Sequence, residues 1–463
     1  MSSCSQVQIA DVAELIRGVT YAKEDARSAQ EDGYLPVLRA TNIQDSALVL
    51  GTDLVFVPAS KISTNQTLRA GDIVLATSSG SKHLVGKSAL LRHDWRGSFG
   101  AFCAAIRPNY PIDSRYLAYF LQSPAYWKQI GEKSMGVNIN NLRRGDIESV
   151  VLPLPDMCEQ RRIVAEIEKQ FSRLDEAVVN LQRVKANLKR YKASVLKAAV
   201  EGRLVETEAS IAQREGRSYE TGEQLLQRIL EERKALAKGK RVAANQPDPV
   251  GLPDCPEGWK WTTCDAAINS IDAGASFKCE ECPPALGEIG VLKVSALTWG
   301  TYDENESKTC NDEGRIEEKY LVRDGDFLFS RANTIELVGA CVIVRKVTKQ
   351  LMLSDKTLRF KLNARVLPEW LQICLRCKFG RDEIERLATG NQESMRNIGQ
   401  ERIRQIRIPL PPLSEQKRIV AEVDRHLSIV REVDSEVEVN LTRSQALRQA
   451  TLARAFGVGS DQI

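Results

Sequence analysis

Histidine is scarce in this chain of 463 residues, and so are the signals of catalysis. Only three histidines occur, His83, His93 and His426, and none lies near a serine or cysteine in a nucleophile motif. The sequence has no HExxH or GxSxG pattern, and it lacks the Asn-Pro-Pro-aromatic pattern of a chain that methylates an exocyclic amine. We therefore expect neither catalysis nor a bound cofactor from this chain alone.

Long hydrophobic runs are missing too. No apolar stretch approaches the ~20 residues of a membrane-spanning helix, and the start, MSSCSQVQIADV, has no basic and apolar signal-peptide pattern. The eleven cysteines are scattered and odd in number, which favours reduced thiols in a cytoplasm. A net charge of +4 neither demonstrates nor excludes a nucleic-acid partner.

Two apparent motifs are weak. Residues 85–88 (VGKS) look like the end of a phosphate-binding loop, but Ser81 stands where the first glycine is required, and strand and turn residues follow. The pairs Cys279/Cys282 and Cys374/Cys377 are about 95 residues apart (374 − 279), far from the spacing of a zinc ribbon. We expect neither a nucleotide site nor a metal site.

One 15-residue motif occurs twice in the sequence. Residues 153–167 read PLPDMCEQRRIVAEI and residues 409–423 read PLPPLSEQKRIVAEV, 256 positions later (409 − 153). Weaker matches lie inside the domains, such as RAGDIVL at 69–75 against RDGDFL at 323–328. The chain is therefore a tandem repeat in which each unit is a globular domain followed by a long helix.

The helices carry a heptad pattern. Apolar residues recur from the end of the first copy at spacings of 4, 3, 4 and 3, and a similar series starts at the end of the second copy: Ile167, Phe171, Leu174, Val178, Leu181; Val423, Leu427, Val430, Val437, Leu441. After one slip, the first series resumes at Val184, Leu188, Tyr191 and Val195. This is the seam of a coiled coil. The fold class is thus α+β, with two globular domains and two long helices that pair as an antiparallel coiled coil. The expected boundaries are 1–155, 156–205, 206–255, 256–411 and 412–463.

Polar loops occupy the same place in both repeats. Residues 136–141 (GVNINN) and 390–394 (GNQES) both precede the helix junction. Asn and Gln can pair with adenine edges, and Arg with guanine edges or phosphates. Such a loop on its own is more often a solvated turn, but the correspondence favours a binding role. The loops at 77–82 (TSSGSK) and 330–334 (SRANT) differ on a common framework, as in two modules with different targets.

Four features of the sequence are distinctive: the two Pro-Leu-Pro junctions, PEGW at 256–259, the Gly-Asp pairs at 71–72 and 325–326, and LLQRILEER at 225–233. On these features the chain resembles the specificity subunit of a type I restriction-modification enzyme. The resemblance spans nearly the whole length. Two departures are that the first domain lacks a PEGW opening and that no second copy of the 225–233 segment follows the second helix.

The resemblance implies two target recognition domains, each reading half of a bipartite, asymmetric DNA site, with the helices setting the unread spacer. It implies two adenine-N6 methyltransferase subunits that use S-adenosylmethionine, and restriction subunits that use ATP and Mg²⁺. The cytoplasmic location is expected from the cysteines. Two other interpretations remain: a non-catalytic scaffold that binds peptides, and an enzyme without recognisable motifs.

Candidate DNA-binding residues follow from loop position and chemistry. For the first half-site they are Tyr21, Lys23, Arg39, Asn42, Ser79, Ser81, Lys82, Asn138, Asn140 and Asn141. For the second they are Ser276, Lys278, Lys293, Ser295, Arg331, Asn333, Asn391, Gln392 and Arg396.

Overall fold

The computed structural model describes residues 5–79, 85–134, 141–236, 246–392 and 395–457. The chain forms two compact units, unit 1 with residues 1–183 and 437–463, and unit 2 with residues 184–436. Both boundaries fall inside long helices, so each long helix contributes to both units. The five segments expected from the sequence give each helix a segment of its own and stay a prediction.

Unit 1 is rich in short strands. They are β1 (Ser5–Gln8), β2 (Ala13–Arg17), β3 (Tyr34–Leu38), β4 (Ile43–Gln44), β5 (Ala47–Leu48), β6 (Val55–Pro58), β7 (Ile73–Ala76), β8 (Ser88–Leu90), β9 (Ser98–Phe99), β10 (Cys103–Pro108) and β11 (Val151–Leu154). The helices are α1 (Ile9–Val12), α2 (Ser114–Phe120), α3 (Pro124–Ser134), α4 (Arg144–Glu148) and the first part of α5 (Met157–Val200).

Unit 2 begins within α5 and continues with α6 (Glu208–Glu215) and α7 (Gly222–Leu236). Its strands are β12 (Lys260–Thr263), β13 (Ile268–Ala273), β14 (Cys279–Glu280), β15 (Ile289–Leu292), β16 (Leu297–Thr298), β17 (Thr301–Tyr302), β18 (Ser307–Cys310), β19 (Phe327–Ser330), β20 (Ala332–Asn333), β21 (Cys341–Ile343), β22 (Gln350–Met352), β23 (Thr357–Leu362), β24 (Thr389–Gln392), β25 (Met395–Asn397) and β26 (Arg407–Leu410). The other helices are α8 (Cys264–Ala267), α9 (Pro368–Arg376), α10 (Lys378–Leu387), α11 (Gln400–Arg404) and α12 (Leu413–Phe456), whose last part belongs to unit 1.

The two units share one strand plan. The sheet ordered β2-β10-β7-β8 in unit 1 has its counterpart in β13-β23-β19-β21 of unit 2. The parallel and antiparallel neighbours of β3 (β9 and β6) match those of β15 (β22 and β18). Antiparallel pairing of β1 with β11, and of β12 with β26, closes each domain just before its long helix. The predicted α+β class, with two sheet-rich domains and two long helices, is confirmed.

The repeated Gly-Asp motif forms an equivalent ion pair in both units, with the aspartate buried in unit 1 and half-buried in unit 2. The Asp72 carboxylate accepts hydrogen bonds from the guanidinium of Arg107, with both N···O distances 2.8 Å. The Asp326 carboxylate accepts from Arg359 at 3.1 Å. Each aspartate also accepts from the backbone N–H three residues before it. The carboxylates therefore fix the turn that leads into the central strands β7 and β19, because a buried charge needs its partners.

The glutamine of the Glu-Gln pair at the helix junctions has the same role in both repeats. The side chain of Gln160 is fully buried; it donates to the carbonyl oxygen of Pro111 at 3.0 Å and accepts from the N–H of Asp113 at 2.8 Å. Gln416 is buried likewise and accepts from the N–H of Leu367 at 3.0 Å. In each unit the glutamine ties the start of the long helix to the segment that leads into α2 or α9.

The glutamate of the same pair differs between the repeats. Glu415 is buried, and its carboxylate accepts from Trp259 Nε1 and from the N–H of Glu208, both at 2.9 Å. Glu159, its counterpart, forms an ion pair with Arg162 on the helix surface instead. The PEGW segment that the first domain lacks is thus the partner of Glu415.

Within each unit, the beginning of one long helix lies with the end of the other. In unit 1, Arg448 of α12 pairs with Asp175 of α5, and its guanidinium lies 4.5 Å from the ring centre of Phe171. In unit 2, the hydroxyl of Tyr191 on α5 lies 2.6 Å from Nδ1 of His426 on α12. The long helices therefore run antiparallel.

Burial along the predicted seam is uneven. The buried seam residues are Ile167, Phe171 and Val195 of α5 and Val423, Leu427 and Val437 of α12. Val184 and Tyr191, nearer the middle of α5, are 39% and 43% exposed. Burial therefore supports the seam over parts of each helix, and a continuous coiled coil stays a prediction.

Candidate nucleic-acid interface

Three segments of unit 1 meet beyond the end of β7. The N–H groups of Thr77 and Ser78 both donate to the carbonyl oxygen of Phe102, at 2.9 and 3.2 Å, on the turn before β10. Ser78 forms an antiparallel bridge with Asn141, and the N–H of Leu142 donates to the carbonyl of Thr77 at 2.8 Å. We call residues 77–78, 102 and 141–142 the loop junction of unit 1.

Unit 2 builds the same junction with other side chains. The N–H of Arg331 donates to the carbonyl of Lys356, and the N–H of Ile398 donates to the carbonyl of Arg331, both at 2.9 Å. Ala332 pairs with Asn397 where β20 meets β25. The loop junction of unit 2 (residues 331–332, 356 and 397–398) therefore repeats the backbone bonds of unit 1, with Arg and Lys in place of Thr and Phe.

In each unit the junction joins the start of one predicted loop, at 77–78 or 331–332, to the segment at 141–142 or 397–398. The predicted loop of unit 2 at 390–394 begins in β24, which pairs with β25 and lies outside this junction. In unit 1, Ser79 is half-buried and Asn141 is exposed. The candidates Ser81, Lys82, Asn138 and Asn140 lie outside the described residues. In unit 2, the backbone of Asn391 and Gln392 belongs to β24, and their side chains are outside the description.

The unit 2 candidates near the junction have different roles. Arg331 is half-buried. Asn333 accepts a hydrogen bond from the N–H of Thr334 at 2.9 Å, and its Nδ2 group has no partner within the described residues. The guanidinium of Arg396 donates to the carbonyl of Gly390 at 2.8 Å and so holds the β24–β25 hairpin. Arg396 is therefore better described as a structural residue than as a base contact.

Asn397 was missed by the sequence analysis. Its Oδ1 atom is buried, with no hydrogen-bond partner in the described part of the chain. It occupies the position of Asn141, since both stand twelve residues before the proline that starts the repeated junction (153 − 141 and 409 − 397). Counting back from that proline would have found it.

Three candidates of unit 1 lie in a second group. Lys23 is exposed and lines a cleft with Arg39. The guanidinium of Arg39 pairs with the Asp53 carboxylate. Tyr21 is half-buried, and this burial raises the pKa of its hydroxyl, an effect that the positive charge of Arg39 opposes. Arg39 would have to exchange its carboxylate partner to contact a phosphate.

Asn42 is a correction. Its side chain is fully buried; Nδ2 donates to the carbonyls of Val49 and Thr52 at 3.1 and 2.9 Å, and Oδ1 accepts from the N–H of Arg39 at 2.8 Å. These bonds use the amide inside its own loop. We therefore withdraw Asn42 as a DNA contact.

Four candidates of unit 2 lie on the segments around β14 and β15. Ser276 and Lys278 are exposed. Lys293 donates to a backbone carbonyl oxygen at 3.3 Å, and the hydroxyl of Ser295 donates to the carboxylate of Glu306. The first two are accessible to a ligand, whereas the last two already have partners within the unit.

The two weak motifs do not form sites in the described residues. Gly86 lies in a turn with φ of 90°, and strand β8 follows it where a phosphate-binding loop needs a helix. Cys374 and Cys377 are buried, whereas Cys279 faces Cys310 across β14 and β18. Among the residues described, no cluster of potential metal ligands has the geometry to hold an ion.

The fold and the loop junctions define a class of protein, in which two repeated units have the same loop junction with different side chains. The model for the type I restriction modification DNA specificity domain matches residues 1–183 and 302–439. The chain belongs to this family, as the resemblance in its sequence implied, and it is a specificity subunit rather than a catalytic one.

Curated relatives agree over most of the length. The specificity subunit of the type I restriction enzyme EcoKI from Escherichia coli K12 is 30% identical over 450 residues, which is 97% of this chain and 87% of that protein. The StySPI specificity subunit from Salmonella potsdam is 30% identical over 454 residues, with the same two coverages.

A solved structure has a similar fold. It comes from work on complex assembly and conformational transition of the type I R-M system, and it matches with a TM-score of 0.62 and 19% identity over 98% of both chains. At this identity the likeness concerns the fold alone. No helix in the described part of the chain combines the length and hydrophobicity that crossing a bilayer requires.

Proposed function

We propose that this specificity subunit reads a bipartite, asymmetric DNA site, one half with each unit, and directs adenine-N6 methylation and ATP-dependent restriction by its partners. The observation that carries the proposal is the repeated loop junction. Three backbone links recur in both units, while the side chains differ at four of the five matched positions: Thr77, Ser78, Phe102 and Leu142 against Arg331, Ala332, Lys356 and Ile398. A constant framework with variable side chains suits two readers of different sequences.

The chemistry of the junctions suits base edges. The guanidinium of Arg331 has the donor geometry that pairs with guanine O6 and N7, and the exposed amide of Asn141 has the groups that pair with adenine N6 and N7. Exposed lysines such as Lys23 and Lys278 suit phosphates, which position the protein without reading sequence.

The proposed partners supply the chemistry. Two adenine methyltransferase subunits bind S-adenosylmethionine, and restriction subunits bind ATP and Mg²⁺, all in the cytoplasm. The target adenine must leave the base stack to be methylated, so the role of this chain is to hold the duplex in register.

Methylome sequencing tests the proposal. DNA would be taken from cells that express this chain with a candidate type I methyltransferase subunit. We expect N6-methyladenine in a two-part motif with a fixed gap. Absence of methylation, with the same methyltransferase active alongside another specificity subunit, would reject the proposal and favour the peptide-binding scaffold.

A further inference from the structure

The turn before β10 places an aromatic side chain at the loop junction of unit 1. Phe102 is 68% exposed, although its carbonyl oxygen holds both Thr77 and Ser78. A single exposed phenylalanine is ordinary on a protein surface. What distinguishes Phe102 is its position, between the candidate loop that begins at Thr77 and the one that ends at Asn141.

The turn is anchored rather than loose. The N–H of Cys103 donates to the carbonyl of Gly100 at 2.8 Å, and the N–H of Val19 donates to the carbonyl of Phe99 at the same distance. Gly18 packs so closely that a Cβ atom there would lie 2.0 Å from the carbonyl oxygen of Gly100. Phe102 is therefore presented to solvent from a fixed backbone.

Unit 2 has a different side chain at the same place. Lys356 accepts the N–H of Arg331 as Phe102 accepts that of Thr77. The same close approach supports this turn, since a Cβ at Gly274 would lie 2.1 Å from the carbonyl of Ser354. One turn thus carries a cation in unit 2, suited to a phosphate, and an apolar ring in unit 1.

We propose that Phe102 inserts between neighbouring bases of the first half-site and opens that base step. This inference rests on the proposed function, since it needs DNA at the junction. Apolar wedges of this kind unstack a step and kink the duplex, and an opened step reduces the work of extruding a target base. A ring has no group that pairs with one base edge, so Phe102 would select deformable steps rather than a particular base.

The test uses the complete complex with its methyltransferase subunits and duplexes of the mapped site that carry 2-aminopurine, one position at a time. Wild type should raise the 2-aminopurine emission at one step of one half-site. Phe102→Ala should remove that signal and weaken binding about tenfold or more, with an unchanged salt dependence because no charge is lost. Phe102→Trp should restore the signal, and the new indole emission should be quenched on binding.

Tyr110→Ala is the matched control. Tyr110 is 89% exposed and follows the same strand at its other end, and the six residues of β10 between Phe102 and that end span about 20 Å at the usual rise per residue. It should behave as wild type. Lys356→Ala, in contrast, should reduce the slope of binding against salt by about one.

Each result decides between the ideas. A Phe102→Ala complex that keeps the 2-aminopurine signal and the affinity overturns the wedge. So does a Phe102→Ala chain that no longer assembles with the methyltransferase, because Phe102 is then a protein contact. If wild type methylates a two-part site without disturbing any step, the wedge is wrong and the proposed function stands. If wild type recognises no two-part site, the proposed function itself fails.

Discussion

A substitution of Arg331 can distinguish a contact with a base edge, which determines the sequence recognised, from a contact with a phosphate, which only positions the protein on DNA. If its guanidinium pairs with a guanine edge, Arg331→Ala should cost about 1–3 kcal/mol at one base position and relax the motif there. Methylation of a set of sites that differ by one base measures the effect. An equal loss on every sequence would mark a phosphate contact instead.

A control for Arg331 lies at the other end of the same strand. Arg323 precedes β19, is exposed and pairs with Glu318, whereas Arg331 follows β19 at the junction. Arg323→Ala removes the same charge from the same unit. It should leave the methylated motif unchanged, and a relaxed motif in that variant would show that charge alone causes the effect.

The sequence could predict candidate DNA-binding residues only where a repeated motif or a loop marks their position. The positions of Asn141 and Arg331 follow from the repeat and its loops, and Asn397 could have been found by counting back from Pro409. The burial of Asn42 could not be foreseen, because it depends on carbonyls that its loop folds around it.

At the scale of the element, the glutamate at the start of the long helix is buried in unit 2 and lies on the helix surface in unit 1. Substitution of Glu159 is therefore a matched control for substitution of Glu415. Glu415→Ala leaves the indole N–H of Trp259 and the N–H of Glu208 without their acceptor. We expect a loss of about 1–3 kcal/mol in the free energy of unfolding of unit 2. Glu159→Ala removes an ion pair with Arg162 on the helix surface and should change the stability little. Urea denaturation of both variants measures the difference, and equal losses would contradict the anchoring role.

The pH dependence of stability gives a second test of the role of Glu415. Burial raises the pKa of its carboxyl, so the folded state holds the proton more tightly than the unfolded chain does. The stabilising contribution is thus fully present below the ordinary glutamate pKa and is lost as the pH rises through the raised one. The cost of Glu415→Ala should therefore be larger at acidic than at neutral pH.

The long helices were predictable because each signal within them is local. Heptad spacing and the repeated junction put the first helix within residues 156–205, and α5 spans Met157–Val200. The exposure of Val184 and Tyr191 was not predictable, because a heptad pattern gives the phase of a seam and not how closely a partner approaches.

At the scale of the whole molecule, the proposed function implies that the length of the two long helices sets the length of the DNA spacer between the two half-sites. Seven residues keep the phase of a heptad seam and lengthen a helix by about 10.5 Å, which is about 3 base pairs at 3.4 Å each. We therefore expect a heptad inserted into both long helices, after Arg183 in α5 and after Glu436 in α12, to widen the methylated motif by about 3 base pairs without changing the bases in either half. These points lie at the boundaries between the compact units, so no domain core is interrupted.

The same heptad inserted into α5 alone is the control, because it shifts one helix against the other and breaks contacts such as that of Tyr191 with His426. That variant should lose methylation, and adding the second insertion should restore it with the wider gap. Methylome sequencing of the three strains measures both effects. A double insertion that methylates the original motif with the original gap would show that the helices do not set the spacing, while leaving base reading by the two units intact.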